Sequence, residues 1–261
     1  MRYKRLLTIK NLVGNRLAKV TAFAIIFNLT ACSGPFSILD PAGTHAQDIA
    51  WIWWGMFWFS VFIIILMTML WWRGMSRDGT ATAQGDVQKK QNSWVLWGGI
   101  ALPTGAITLM LAFGVPAGHR MLPLDGDDAV HIEVTAYQWF WEFYYPDTGL
   151  SLIDEVHIPV DRPIHFHVSS EDVIHSFWIP RLGGKLDAIP GRVNVLRLEA
   201  RQTGRLDGQC VEYCGVGHAY MDFAVEVHDA DGYEAWQQEA LTAQRTFDPT
   251  LQPPSANEEH P

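Results

Sequence analysis

Two long apolar stretches constrain this chain more than any other feature. Residues 49–72 are almost unbroken apolar sequence, with Trp51, Trp53 and Trp54 near one end and Trp71 and Trp72 at the other. Residues 94–117 form a second run, punctuated by Gly98, Gly99, Pro103, Gly105, Gly114 and Pro116. Each is long enough to cross a hydrocarbon core of about 30 Å as a helix. The tryptophans lie where a membrane–water interface holds amphipathic rings. The segment between the runs carries Arg73, Arg77, Lys89 and Lys90 against Asp78 and Asp86. By the positive-inside rule it is cytoplasmic, which places both chain ends outside. A two-pass protein of the bacterial inner membrane is expected.

Ahead of this hairpin, Arg2, Lys4, Arg5, Lys10, Arg16 and Lys19 form a basic stretch without an acid, followed by the apolar run 20–29 and Leu29-Thr30-Ala31-Cys32. A basic region, a short apolar region and small residues before a cysteine read as an export signal. Residues 1–31 are therefore expected to be removed and Cys32 lipidated, as in lipoproteins. Residues 32–118 would hold the N-terminal segment and the hairpin.

Residues 119–245 read as a second unit, rich in strands. Ile132, Val134 and Ala136 alternate with polar residues, as do Ile164, Phe166 and Val168, and Phe223, Val225 and Val227. Period-two patterning punctuated by Gly, Pro and Asp predicts a small antiparallel sandwich or barrel. A short helix over about 231–243 and a disordered tail at 246–261 complete an α+β membrane protein. The whole chain is −9, and the first 31 residues contribute +6, leaving −15 for the rest. The residues from His119 onward, with 9 Lys+Arg and 24 Asp+Glu, carry all of that −15. Such an external domain disfavours nucleic acid and favours a basic partner.

The chemistry is concentrated in Cys210-Val211-Glu212-Tyr213-Cys214-Gly215-Val216-Gly217-His218-Ala219-Tyr220-Met221. Two cysteines in an oxidising compartment would form a disulfide by default, but their neighbours argue otherwise. Thiolate, imidazole and thioether form a soft ligand set suited to copper, whereas calcium and magnesium prefer oxygen. A mononuclear blue-copper site needs only one cysteine. A tetrahedral zinc site from both cysteines, His218 and another histidine is open to this sequence, but it leaves Met221 without a role.

The spacing Cys-x-Glu-x-Cys-Gly-x-x-His-x-x-Met resembles the CuA motif of cytochrome c oxidase subunit II. Residues 169–177 (Ser-Ser-Glu-Asp-Val-Ile-His-Ser-Phe), 186–192 and Gln138-Trp139-Phe140-Trp141 are similar to further segments of that family. The resemblance implies a cupredoxin-like β-barrel outside the membrane that takes electrons from cytochrome c. They would pass to haem in subunit I, for reduction of oxygen to water coupled to proton pumping. It implies that Cys210 and Cys214 bridge two copper ions, that His175 and His218 bind one each, and that Met221 and the Glu212 carbonyl are weak outer ligands. The Glu212 carboxylate, supported by Asp187, would reach a magnesium ion at the contact with subunit I. Trp139 corresponds to the family's exposed tryptophan at the point of electron uptake. Glu142, Asp147, Asp172 and Asp222 are the acids expected to hold cytochrome c.

One departure is that residues 89–94 (Lys-Lys-Gln-Asn-Ser-Trp) lack the acid many family members carry at the start of the second helix. His131, His157, His165, His167 and His228 fall outside the motif and are expected to be surface strand residues. Three other proteins share parts of the pattern. A quinol oxidase subunit II lacks the copper ligands, a thioredoxin-fold copper chaperone needs neither His218 nor Met221, and nitrous oxide reductase is soluble and much larger.

Overall fold

The computed structural model describes residues 33–76, 84–123 and 128–246. The expected export signal, Cys32 and the tail after Thr246 lie outside the described residues. Helix α1 (Thr44–Met75) and a second helical stretch, α2 (Gln84–Trp94), a π-helical segment (Val95–Ala101) and α3 (Leu102–Arg120), make the hairpin. Both are long and apolar enough to span a membrane, and they bury only 6% of their most apolar windows. The π segment ends beside Pro103. A proline has no N–H to bond the carbonyl four residues back, so the regular ladder is interrupted there.

The helices outlast their apolar runs at the barrel end, where the polar extensions meet. Arg120 donates to Asp48 at 2.8 Å across the hairpin. The chain enters α1 through a narrow slot. Ala42 N–H donates to Arg181 O at 2.8 Å, and Arg201 N–H donates to Ala42 O at 2.7 Å. A Cβ on Gly43 would lie 2.6 Å from Glu199 O, so only glycine fits. Arg197 reaches His45 Nε2 at 3.1 Å and the Arg120 carbonyl at 3.4 Å, tying both helices to one strand.

The external unit is a sandwich of two five-stranded sheets. One has the order β3 (Leu150–Ile153), β2 (Phe140–Tyr145), β1 (Val130–Tyr137), β5 (Pro163–Ser170), β8 (Asn194–Glu199). The other runs β4 (Glu155–Pro159), β10 (Asp222–His228), β9 (Gly204–Cys210), β6 (His175–Trp178), β7 (Leu186–Ala188). A final helix, α4 (Ala230–Thr246), follows β10. The three alternating triplets read from the sequence are all buried, because period two sends every second side chain inward. The expectation of a purely antiparallel unit is corrected. β1 and β5 pair parallel, as do β4 and β10, since chain crossing between the sheets brings distant strands side by side in the same direction.

The core is aromatic. Phe177 and Phe223 stack at 5.0 Å, with Trp141 edge-on to both at 5.4 and 5.8 Å. Gly208 on β9 makes room for this stack: a Cβ there would lie 2.1 Å from Phe223 Cζ. His165 also departs from expectation. It is buried, at 7% exposure, because its strand neighbour Arg197 belongs to the junction with the hairpin.

Candidate metal centre

The motif residues occupy the loop between β9 and β10, whose ends the sheet pins together. Cys210 N–H donates to Met221 O at 2.9 Å, and Val211 N–H to Ser176 O at 3.0 Å. Gly215 takes φ +123°, a conformation other residues avoid. The chain then turns through a short 3-10 helix (His218–Tyr220) that returns Met221 to the core. His175 enters from the first position of β6 and is fully buried.

Five side chains converge. The Cys210 and Cys214 sulfurs are 3.8 Å apart and unbonded. His175 Nδ1 is 3.9 Å from Cys210 Sγ and 3.2 Å from Met221 Sδ. His218 Nδ1 is 3.6 Å from Cys214 Sγ, and Met221 Sδ is 3.8 Å from it. The Glu212 carbonyl lies 3.2 Å from Cys210 Sγ. Among the described residues, His175, Cys210 and Cys214 are the only cluster of three potential ligands from His, Cys, Asp and Glu. The donors fit a soft metal, because sulfur and imidazole nitrogen face one buried point with no hard oxygen cage around it.

The site is electrostatically prepared. Burial alone would raise the Cys210 thiol, but the His175 imidazole, the backbone around it and His218 outweigh burial and bring it down to about 6. Burial, then the charge on Cys210, pushes Cys214 up to about 12. The metal-free pair thus favours one thiolate. His175 is held by its other ring nitrogen, Nε2, 2.8 Å from Asp172 Oδ1. Such an outer carboxylate fixes ring orientation and strengthens the imidazole as a ligand.

The aromatic segment from Tyr137 to Trp141 folds as the hairpin turn between β1 and β2. Tyr137 and Phe140 pair across β1 and β2 and stack at 4.8 Å, while Gln138 and Trp139 form the turn, with a cis bond between them. Trp141 is buried in the core. Trp139 lies on the metal loop, 40% exposed, with its indole N–H donating to Cys214 O at 3.3 Å. Gln138 Nε2 donates to the same carbonyl at 2.7 Å. Gly215 and Gly217 form the floor beneath the ring: a Cβ on Gly217 would sit 2.4 Å from Trp139 Cδ2. Gln138, Gly215 and Gly217 stand in the sequence motifs without an expected role. The available signal was Gly-x-Gly directly after the second cysteine.

The remaining expected residues divide. Asp172, proposed as a docking acid, turns inward to His175 and to the Gln138 N–H at 2.6 Å. Glu142 accepts from Ser151 Oγ at 2.7 Å. Asp222 is exposed beside Met221, next to the ligand loop. Asp147 lies in the turn after β2, at the opposite end of that strand from Trp139. Asp187 accepts from Ser176 Oγ at 2.8 Å, and Glu212 is exposed. These two carboxylates form no three-ligand cluster among the described residues.

A membrane-anchored β-sandwich that gathers two thiols, two imidazoles and a thioether at one end is a protein of the cupredoxin-like metal-centre class. A family model described as cytochrome C oxidase subunit II, periplasmic domain, matches residues 149–228. The cytochrome c oxidase subunit 2 of Alkalihalophilus pseudofirmus is 34% identical over 82% of this chain and 65% of its own length. The cytochrome bo(3) ubiquinol oxidase subunit 2 of Pseudomonas putida is 28% identical, over 89% of this chain and 76% of its own. The crystal structure of the periplasmic domain of subunit II of cytochrome oxidase from Bradyrhizobium japonicum is 34% identical, covering 49% of this chain and all of that domain, with a TM-score of 0.44. The matched residues 149–228 take in every ligand of the motif from His175 to Met221, so the external unit of the chain is similar to the periplasmic domain of cytochrome c oxidase subunit II. The chain spans 65% of the length of the Alkalihalophilus relative.

Proposed function

We propose that this chain is the electron-accepting subunit of a haem–copper oxidase and carries a dinuclear CuA centre. One observation carries the reading: His175 and Met221 meet both cysteines in one buried cluster, and half-buried His218 reaches Cys214 from its rim. Cys210, Cys214, His175, His218, Met221 and the Glu212 carbonyl would hold the copper pair. When bound, the pair supplies a site that shares one electron over two ions, so reduction changes its geometry little. Asp172 orients His175, the β9–β10 loop shields the thiols, and Trp139 is a surface ring hydrogen-bonded to the Cys214 carbonyl. Electrons come from cytochrome c, drawn by the acidic domain, and leave for haem in subunit I. There oxygen is reduced to water, coupled to proton pumping. The Glu212 carboxylate, with Asp187 in support, would help hold a magnesium ion at that contact. The protein sits in the bacterial inner membrane with both termini outside, anchored also by lipid on Cys32.

The Pseudomonas putida relative raises ubiquinol as an alternative donor. The complete soft-ligand set favours cytochrome c. The test is to load the full chain with copper in detergent and record metal content and the EPR spectrum. Two tightly held coppers with a mixed-valence signal are expected, abolished by Cys210→Ser or Cys214→Ser. One copper with a simple four-line spectrum would overturn the reading.

A further inference from the structure

The barrel carries a second group of imidazoles, on the outer face of the sheet β3-β2-β1-β5-β8. His131 on β1 and His167 on β5 stand with Nδ1 and Nε2 only 3.0 Å apart. Their rings are tilted by 31°, with centroids 5.3 Å apart. His165, two residues from His167 on the same face, lies edge-on to His131 at 5.3 Å. Glu133 is the strand partner of His167. His131 and Glu133 are exposed and His167 is half-buried, so the pair opens to solvent.

We propose that His131 and His167 form a second metal site, separate from the cysteine centre, that takes a divalent transition ion of the copper(II) or nickel(II) class. Two ring nitrogens at this distance are joined either by one shared proton or by a cation accepting both lone pairs. With metal–nitrogen bonds of about 2.0–2.1 Å, a 3.0 Å separation subtends roughly 95° at the ion. That is the cis angle of tetragonal coordination, which copper(II) and nickel(II) prefer, and it is tighter than the tetrahedral angle of zinc.

The surroundings favour a cation on this side of the sheet. Glu133, the strand partner of His167, adds negative charge beside it. Arg197, the strand partner of His165 on the same face, is drawn away from the pair by Glu199, His45 and the Arg120 carbonyl. His167 also stays unprotonated readily: burial, then His131, hold it below the ordinary imidazole value, against the pull of Glu133. Water molecules would fill the remaining positions.

The test uses the untagged full chain in detergent, with its cysteine centre loaded with copper and all loosely held copper then stripped by a chelator and dialysis, titrated with nickel. Nickel is counted separately from copper, so the outcome is independent of how many coppers the cysteine centre holds. One saturable nickel per chain is expected. His131→Ala and His167→Ala should each weaken it by more than the roughly 10–100-fold that loss of an outer-shell partner costs. His157→Ala, at the separate His157–His228 pair on the other sheet, should leave it unchanged. An unaltered copper spectrum shows that each variant is folded. No saturable nickel binding by the wild-type chain, or binding undiminished in the His131→Ala/His167→Ala double variant, would overturn the proposal.

Discussion

Gly217→Ala isolates the seating of Trp139 on the metal loop. The residue has φ −86°, ψ 2°, which alanine adopts freely, so the substitution adds no backbone strain. What it adds is a methyl 2.4 Å from Trp139 Cδ2, 2.5 Å from Cγ and 2.8 Å from Cε3. Ordinary carbon contacts begin at about 3.5 Å, so the indole must lift by about 1 Å. Overpacking of this kind costs about 1–3 kcal/mol. The displaced ring also loses its hydrogen bond to Cys214 O. Thermal loss of the copper-centre absorption would report the destabilisation, and stopped-flow reduction by cytochrome c would report slower electron uptake with a near-normal copper spectrum. In a Trp139→Ala background there is no ring to strike, so the added methyl should cost almost nothing. A double-mutant cycle should therefore show coupling of about 1–3 kcal/mol, in the range found for contacting residues. Additive effects would refute the seating of the indole on Gly217.

Trp139→Ala alone should slow electron uptake severely while leaving the copper spectrum and cytochrome c binding nearly unchanged; a wild-type rate would redirect attention to another surface ring such as Tyr220. Neutralising Glu142 and Asp222 should lower the association rate with cytochrome c and flatten its salt dependence, since complementary surface charge acts mainly on encounter and is screened by salt. Gly208→Ala places a methyl 2.1 Å from Phe223 Cζ in the middle of the aromatic stack. It should destabilise the barrel by about 1–3 kcal/mol or more, seen as a lower melting temperature for the copper centre. Mass spectrometry should find the mature chain beginning at a lipid-modified Cys32, and an intact N-terminal segment with unmodified Cys32 would exclude the lipoprotein route.

Features under local control are legible in the amino-acid order alone. Hydropathy over about twenty residues marked both membrane helices, because a hydrocarbon core dictates length and composition whatever the tertiary contacts. Alternation at period two assigned the inward faces of β1, β5 and β10, because the pleat forces it. The spacing from Cys210 to Met221 named four converging donors, because they share one loop short enough for its residue types to reveal its chemistry. Only the tertiary structure decided what depends on strands distant in the chain. It paired β1 with β5 in parallel and buried His165 beneath the hairpin junction. It turned Asp172 from a presumed surface acid into the support of His175, laid Trp139 on Gly215 and Gly217, and brought His131 to His167 across 36 residues. These contacts join residues whose separation along the chain carries no periodic signal. Their positions follow from how the two sheets cross and pack.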